Sequence, residues 1–199
     1  MELFTYYRSS AAYRVRIALN YKGIKYQPVP VNLLTGEHRQ KEYHRISPQG
    51  LVPALRLDDG RILTQSPAIL EWLEENHPTP ALLPTDAYQR SLVRAWASLI
   101  ACDIHPIDNL RVLNYLTGEL SVNDEQKMAW YHHWIKLGFD ALEAQIEPAP
   151  YCHGNQVSMA DIYLIPQVYN ALRFKFDMTG HPKILAVYEN CNRLEPFIE

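Results

Sequence analysis

Glycine is scarce in this chain: eight residues in 199, no two of them separated by a single residue. That spacing excludes the G-x-G core of a dinucleotide fingerprint and the glycine-rich loop of a phosphate site. H-E-x-x-H and G-x-S-x-G are also missing, which removes the zincin and α/β-hydrolase patterns. His132 and His133 are adjacent, and neighbours on a helix diverge, so they make poor joint metal ligands and no metal is expected. Cysteine is rarer still. Cys102, Cys152 and Cys191 are odd in number, far apart and without a C-x-x-C, which suits buried thiols in a reducing cytosol better than a disulfide framework. Nowhere do Lys and Arg cluster, and the net charge is −3, so a nucleic-acid partner is not expected. No apolar run nears the roughly 18 residues of a membrane span, and the first residues lack a signal peptide's basic start and apolar middle. The chain reads as cytoplasmic, with no membrane partner.

What is present is an ordinary globular composition, 47% hydrophobic and 21% charged, long enough for two small domains. Glu2–Tyr6 reads as a strand. Ala12–Tyr21 reads as a helix with Ala11, Val15, Ala18 and Leu19 along one face and Gly23 just past its end. Lys25–Leu33 reads as a second strand, placed at an edge by Pro28 and Pro30, and Glu37–Ile46 as a helix. Asp58-Asp59-Gly60 between Ala54–Leu57 and Arg61–Thr64 marks a hairpin. Ser66-Pro67 opens a helix to about Glu75, with Ser66 as cap. Residues 1–76 thus form one α/β domain of order β-α-β-α-β-β-α. Pro78, Pro80 and Pro84 make 77–86 a linker. Residues 87–199 form an all-helical domain, with helices over roughly 87–117, 124–146, 159–175 and 182–196. Ser158 and Asp161 make a capping box, with Val157 and Ile162 as its hydrophobic staple.

Four groups of residues could carry chemistry. Ser9-Ser10 stands at a strand-to-helix junction, where the backbone N–H groups and macrodipole suit an anion; the plainer reading is a capping serine. Leu51-Val52-Pro53 precedes the hairpin, either as an edge device or as a cis bond that turns the Val52 backbone outward to pair with an extended peptide. Gln65-Ser66 repeats the anion-or-cap choice at the next helix. Between Asp103 and Arg111, the polar side chains of His105, Asn109 and Arg111 fall within two helical turns, as a ligand contact or a solvated face.

Taken together the segments resemble a zeta-class glutathione transferase, the class of maleylacetoacetate and maleylpyruvate isomerases. The most specific stretch runs from Tyr7 to Leu19 and matches the signature SSCxxRVRIAL. Ser47–Leu55, Gln65–Ile69, Asp103–Pro106 and Arg173–Asp177 add to it, and the resemblance extends from Met1 to about Phe197. It implies a thioredoxin-like N-terminal domain that holds glutathione, followed by an all-α domain that supplies most of the electrophile site. By matching position, Ser9 hydrogen-bonds the glutathione sulfur with Ser10 beside it. Val52 pairs with the cysteinyl backbone, Gln65 and Ser66 hold the γ-glutamyl end, and His38 supplies another polar contact; the set extends to Ala11 and Pro53. His105, Asn109 and Arg111 reach the ligand from the helical domain.

The resemblance further implies a homodimer and a glutathione-dependent cis–trans isomerase of a maleyl dicarboxylate in aromatic catabolism. Arg8, Arg111 and Arg173 are the candidate cations for the two carboxylates. A general detoxifying transferase and a non-enzymatic glutathione-binding protein are the alternatives. One departure stands out: the signature carries Cys where this chain has Ala11. That removes a protein thiolate from the site and leaves the thiolate of glutathione, whose pKa as a free thiol is about 8.5.

Overall fold

The computed structural model describes residues 1–198; Glu199, the last residue of the expected helical domain, lies outside them. The chain divides into two compact units, Met1–Leu82 and Leu83–Glu199. Residues 77–86 contain no helix or strand.

In the first unit β1 (Glu2–Thr5), α1 (Ser10–Tyr21), β2 (Gln27–Pro30), α2 (Lys41–His44), β3 (Ala54–Arg56), β4 (Ile62–Thr64) and α3 (Ser66–Asn76) follow in order. The sheet runs β2-β1-β3-β4, with β1 parallel to β2 and antiparallel to β3. This is a thioredoxin-like arrangement. Pro28 and Pro30 lie on the outer strand β2, where a missing N–H costs no ladder bond. That strand is only four residues long, shorter than the expected 25–33. The expected helix over 37–46 is broken into a 3₁₀ turn, Glu37–Arg39, and the single turn of α2. α1 ends on Gly23 at φ +65°, where the N–H of Gly23 donates to Asn20 and that of Ile24 to Leu19.

A buried ion pair closes this unit. The Lys22 side chain is fully buried, and Nζ donates to Glu74 Oε2 at 2.7 Å, to the His77 carbonyl at 2.7 Å and to the Pro80 carbonyl at 2.8 Å. Glu74 also accepts from the Leu82 N–H. The three ammonium protons are therefore all engaged.

The second unit is helical: α4 (Ala87–Ser98), α5 (His105–Asp108), α6 (Leu110–Gly118), α7 (Asp124–Gln145), α8 (Met159–Arg173) and α9 (Pro182–Cys191). The single helix expected over 87–117 is three: a π-helical stretch, Leu99–Ile104, joins α4 to α5, and the extended Asn109 separates α5 from α6. Pro106 explains the break, because its ring would collide with the Cys102 carbonyl of a regular helix and it has no N–H to give. The chain widens instead, and the His105 N–H bonds five residues back to Ile100. Gly138 of α7 accommodates the wide turn: a Cβ there would stand 2.2 Å from Ile104 Cδ1. α8 is buried on nearly every side from Met159 to Val168 and is the core helix of the unit. Its start is as expected, with Ser158 N–H and O–H both donating to Asp161 and Val157 and Ile162 buried. One feature was not expected, a pair of two-residue strands, β5 (Glu147–Pro148) and β6 (His153–Gly154), too short to show any period in sequence.

Candidate active site

Strand register places three loops of the first unit at one end of its sheet. Phe4 faces Ala54, and Ala54 faces Thr64. The chain leaving β1, entering β3 and leaving β4 therefore meets there, bringing Ser9, Val52 and Gln65-Ser66 to the same end. α1 and α3 both start at this end, so two positive helix termini converge on it. An anionic, peptide-like ligand suits such a place.

Ser9 caps α1 with an extended backbone, its Oγ accepting from the Ala12 N–H at 3.2 Å. Capping does not exhaust the hydroxyl, since an oxygen that accepts a hydrogen bond keeps its own proton to donate. Ser10 is buried as the first helical residue and Ala11 is half-buried beside it. Arg8 is exposed, its guanidinium 5.0 Å from the centroid of the Tyr7 ring. The Val52–Pro53 peptide bond is cis, the less common of the two readings of that motif.

At α3 the expected cap is displaced by one residue. Gln65 is the cap, Ser66 the first helical residue and Pro67 the second. Gln65 has φ +67°, a left-handed conformation that costs a non-glycine residue about 1–3 kcal/mol. Its Nε2 donates to Gln49 Oε1, linking the helix start to the loop before Val52. Ser66 is buried, and its Oγ accepts from Arg14 Nη1 at 3.4 Å. Arg14, 1% exposed in α1, thus joins the two helix starts.

His38 lies beside this loop as well. Gly50 takes φ +62°, and a Cβ on it would come within 2.8 Å of the His38 carbonyl, so glycine is needed there. Burial, helped by the charge of Arg39 and by His44, lowers the His38 pKa, leaving a neutral imidazole at pH 7 as a directional hydrogen-bonding group.

In the second unit the α5–α6 turn gathers His105, Asn109 and Arg111. Asn109 caps α6, its Oδ1 accepting from the Val112 N–H at 3.1 Å and its Nδ2 donating to the Pro106 carbonyl at 2.8 Å. Its amide is therefore engaged at both ends within the turn. Arg111 is exposed in the first turn of α6. Arg173 ends α8, exposed, its guanidinium 4.7 Å from the centroid of the Phe174 ring. Phe174 in turn packs on Tyr131 of α7 at 4.4 Å. The Tyr131 phenol is pushed up by burial and by Asp108, and pulled back by Arg173. Tyr131 thus connects the α5–α6 turn to the end of α8.

Comparison with known proteins sharpens this picture. Residues 3–81 match the glutathione S-transferase N-terminal domain and residues 135–193 its C-terminal domain. A maleylacetoacetate isomerase of Pseudomonas aeruginosa is 48% identical over 94% of this chain and 89% of that protein. The chain belongs to the glutathione S-transferase family. It falls with the zeta class: the holo structure of a bacterial maleylpyruvate isomerase of that class superposes with a TM-score of 0.96, at 46% identity over 99% of this chain and 94% of the other. A maleylacetoacetate isomerase from Methylobacterium extorquens AM1, solved with bound malonate and glutathione, gives 0.95 at 35% identity over the same shares.

Three polar residues of this glutathione S-transferase chain were not singled out from sequence: Arg14, Arg16 and Asp108. The two arginines stand inside the signature, and α1 turns Arg14 inward on the face of Ala18, a position where a charge needs a partner. Asp108 stands within the stretch read as either a ligand contact or a solvated face, and it is 6% exposed. Neither of its carboxylate oxygens has a hydrogen-bond partner among the described residues. Burial pushes its carboxyl up to about 8. The folded chain therefore holds a proton that an unfolded aspartate releases near about 3.9, and stability falls as pH rises from about 4 to about 8 and is level above. Asp108→Asn keeps the shape without the charge. It should melt close to wild type near pH 4 and higher than wild type near pH 9. A displacement half as large is worth about 2.7 kcal/mol, several degrees in a chain of this size. Thermal melts across that range check it; parallel curves for the two proteins would show that Asp108 reaches solvent or an unseen partner.

Proposed function

We propose that this chain is a glutathione-dependent cis–trans isomerase of a maleyl dicarboxylate, working in the cytoplasm as a homodimer in aromatic catabolism. The observation that carries the reading is the sheet end where two helix N-termini, the Ser9 hydroxyl and the Gln65-Ser66 pair converge. Bound glutathione supplies a thiolate that adds to the cis double bond and leaves after rotation, so it is regenerated. The relatives named as isomerases of maleylacetoacetate and maleylpyruvate, one of them solved with malonate and glutathione, support the substrate class.

Each residue then has a part. The Ser9 O–H, with the α1 terminus behind it, favours the ionised sulfur, and Ser10 keeps the first turn packed. Val52 offers backbone to the cysteinyl residue, Gln65 and Ser66 offer polar groups to the γ-glutamyl end, and His38 offers a neutral imidazole. Arg8, Arg111 and Arg173 are the cations available to carboxylates, with His105 as a further polar group. No cysteine stands in residues 1–82, the unit that carries Ser9, so in this reading the nucleophile is the thiolate of glutathione.

The test is an assay of both maleyl substrates with and without glutathione, in wild type, Arg111→Ala and Arg173→Ala. Turnover should require glutathione, and each arginine substitution should raise KM for the maleyl substrate roughly thirtyfold or more, the low end of truncating a charged pair. Conjugation of a neutral aryl halide should stay within a few-fold. Untouched maleyl kinetics in both variants would make these arginines structural, and a wild type that prefers the aryl halide would make the chain a general transferase.

A further inference from the structure

We propose that Arg16 is a positioning residue that sets the Ser9 hydroxyl by gripping the loop between β1 and α1. Two turns into α1, its guanidinium grips the first half of that loop. Nη1 donates to Thr5 Oγ1 at 2.8 Å and to the Tyr6 carbonyl at 3.3 Å, and Nη2 donates to the Tyr7 carbonyl at 3.3 Å. The Tyr6 carbonyl is also the acceptor of the Ser9 N–H, at 2.9 Å. Arg16 and Ser9 therefore share one oxygen, and moving the first moves the second. The circuit closes through α1, because Tyr13 N–H donates to the Ser9 carbonyl at 2.8 Å and the Arg16 guanidinium sits 5.2 Å from the centroid of the Tyr13 ring.

Shape matters here as much as charge. Only a planar fork reaches a hydroxyl and two successive carbonyls at once, whereas an ammonium on a flexible stem grips at a single point. Tyr13 and Tyr26 flank the guanidinium electrostatically, and burial lowers its pKa from a value so high that it stays cationic. The loop it holds carries Arg8 as well as Ser9. Arg16 thus acts on the sulfur only through Ser9.

This inference rests on the glutathione reading for its chemical consequence, and the experiment separates the two. Arg16→Lys and Arg16→Gln are compared with wild type by amide hydrogen exchange without glutathione, by titrating the ultraviolet absorbance of bound glutathione thiolate, and by binding of S-methylglutathione. In both variants the amides of Ser9 and Ala12 should exchange roughly tenfold faster or more, the ratio for losing one hydrogen bond to a charged group, while β3 and α3 amides keep their wild-type rates. The bound thiol should titrate closer to the free value, and S-methylglutathione, which has no thiol, should bind within about threefold of wild type. Wild-type exchange at Ser9 in Arg16→Lys would overturn the proposal, as would acceleration spread evenly over the first unit. If wild-type protein leaves the thiol of glutathione unshifted, the glutathione reading fails, and the exchange arm still decides whether Arg16 positions Ser9.

Discussion

Ser9→Gly is expected to cut turnover of the maleyl substrate roughly 10- to 150-fold while glutathione affinity stays within a few-fold. In the proposed site the hydroxyl faces the sulfur, not the peptide body, so its loss would remove one charge-assisted hydrogen bond, about 1.5–3 kcal/mol, which converts to that range of rates. Glycine is the informative replacement. Ser9 also caps α1 through the Ala12 N–H, and alanine would remove that cap at about 0.5–2 kcal/mol, whereas glycine gives up only a few tenths. A fall in activity with an unchanged melting curve therefore isolates the chemical part. Steady-state kinetics on wild type, Ser9→Gly and Ser10→Ala, with isothermal titration of glutathione, check it. Full activity in Ser9→Gly together with loss in Ser10→Ala would assign the part to the wrong serine.

Lys22→Met is expected to cost about 3–5 kcal/mol of stability. The substitution fills much of the same space but removes the ammonium that stands between the Glu74 carboxylate, 13% exposed, and the His77 and Pro80 carbonyls. Breaking a buried pair from one side strands the other charge, which costs more than never having had the pair. Adding Glu74→Gln should therefore restore part of the loss instead of deepening it. Urea unfolding of the two single variants and the double variant measures this. Additive losses would mean that Lys22 contributes through packing alone.

Much of the first unit is readable in the sequence, because its punctuation is strong: Gly23 past α1, Asp58-Asp59-Gly60 in the hairpin, Ser66-Pro67 at α3. The one-residue displacement at α3 escaped because Gln65 holds a left-handed backbone that nothing in its side chain advertises. Pro106 marked its own break, but a long apolar pattern on both sides masked it, and the π-helical turn depends on the space that Gly138 leaves. The serine pair, Val52, and Gln65-Ser66 were found as helix starts and strand mouths, and register then gathered them at one end. Arg16 and Asp108 were not found because their roles depend on neighbours from elsewhere in the chain. A guanidinium on a helix reads as solvated until loop carbonyls are seen around it, and a carboxylate reads as surface until it is found buried.

The sheet's order, β2-β1-β3-β4, also has a bearing on assembly. β1 is an inner strand that precedes both of its partners in the chain, so a nascent or refolding molecule carries it with both edges bare until they arrive. Its β3 partner lies about twice as far along as its β2 partner, a doubling that adds only about 0.6 kcal/mol of closure entropy. Neither pairing has a large head start over the other. Bare inner strands attract strands of other molecules, and the two prolines that keep β2 from templating further growth guard the finished sheet, not the waiting β1. Leu3 and Phe4 are therefore most exposed to mispairing while the remainder of the first unit is still unformed, and dilute refolding should recover more of this protein than concentrated refolding.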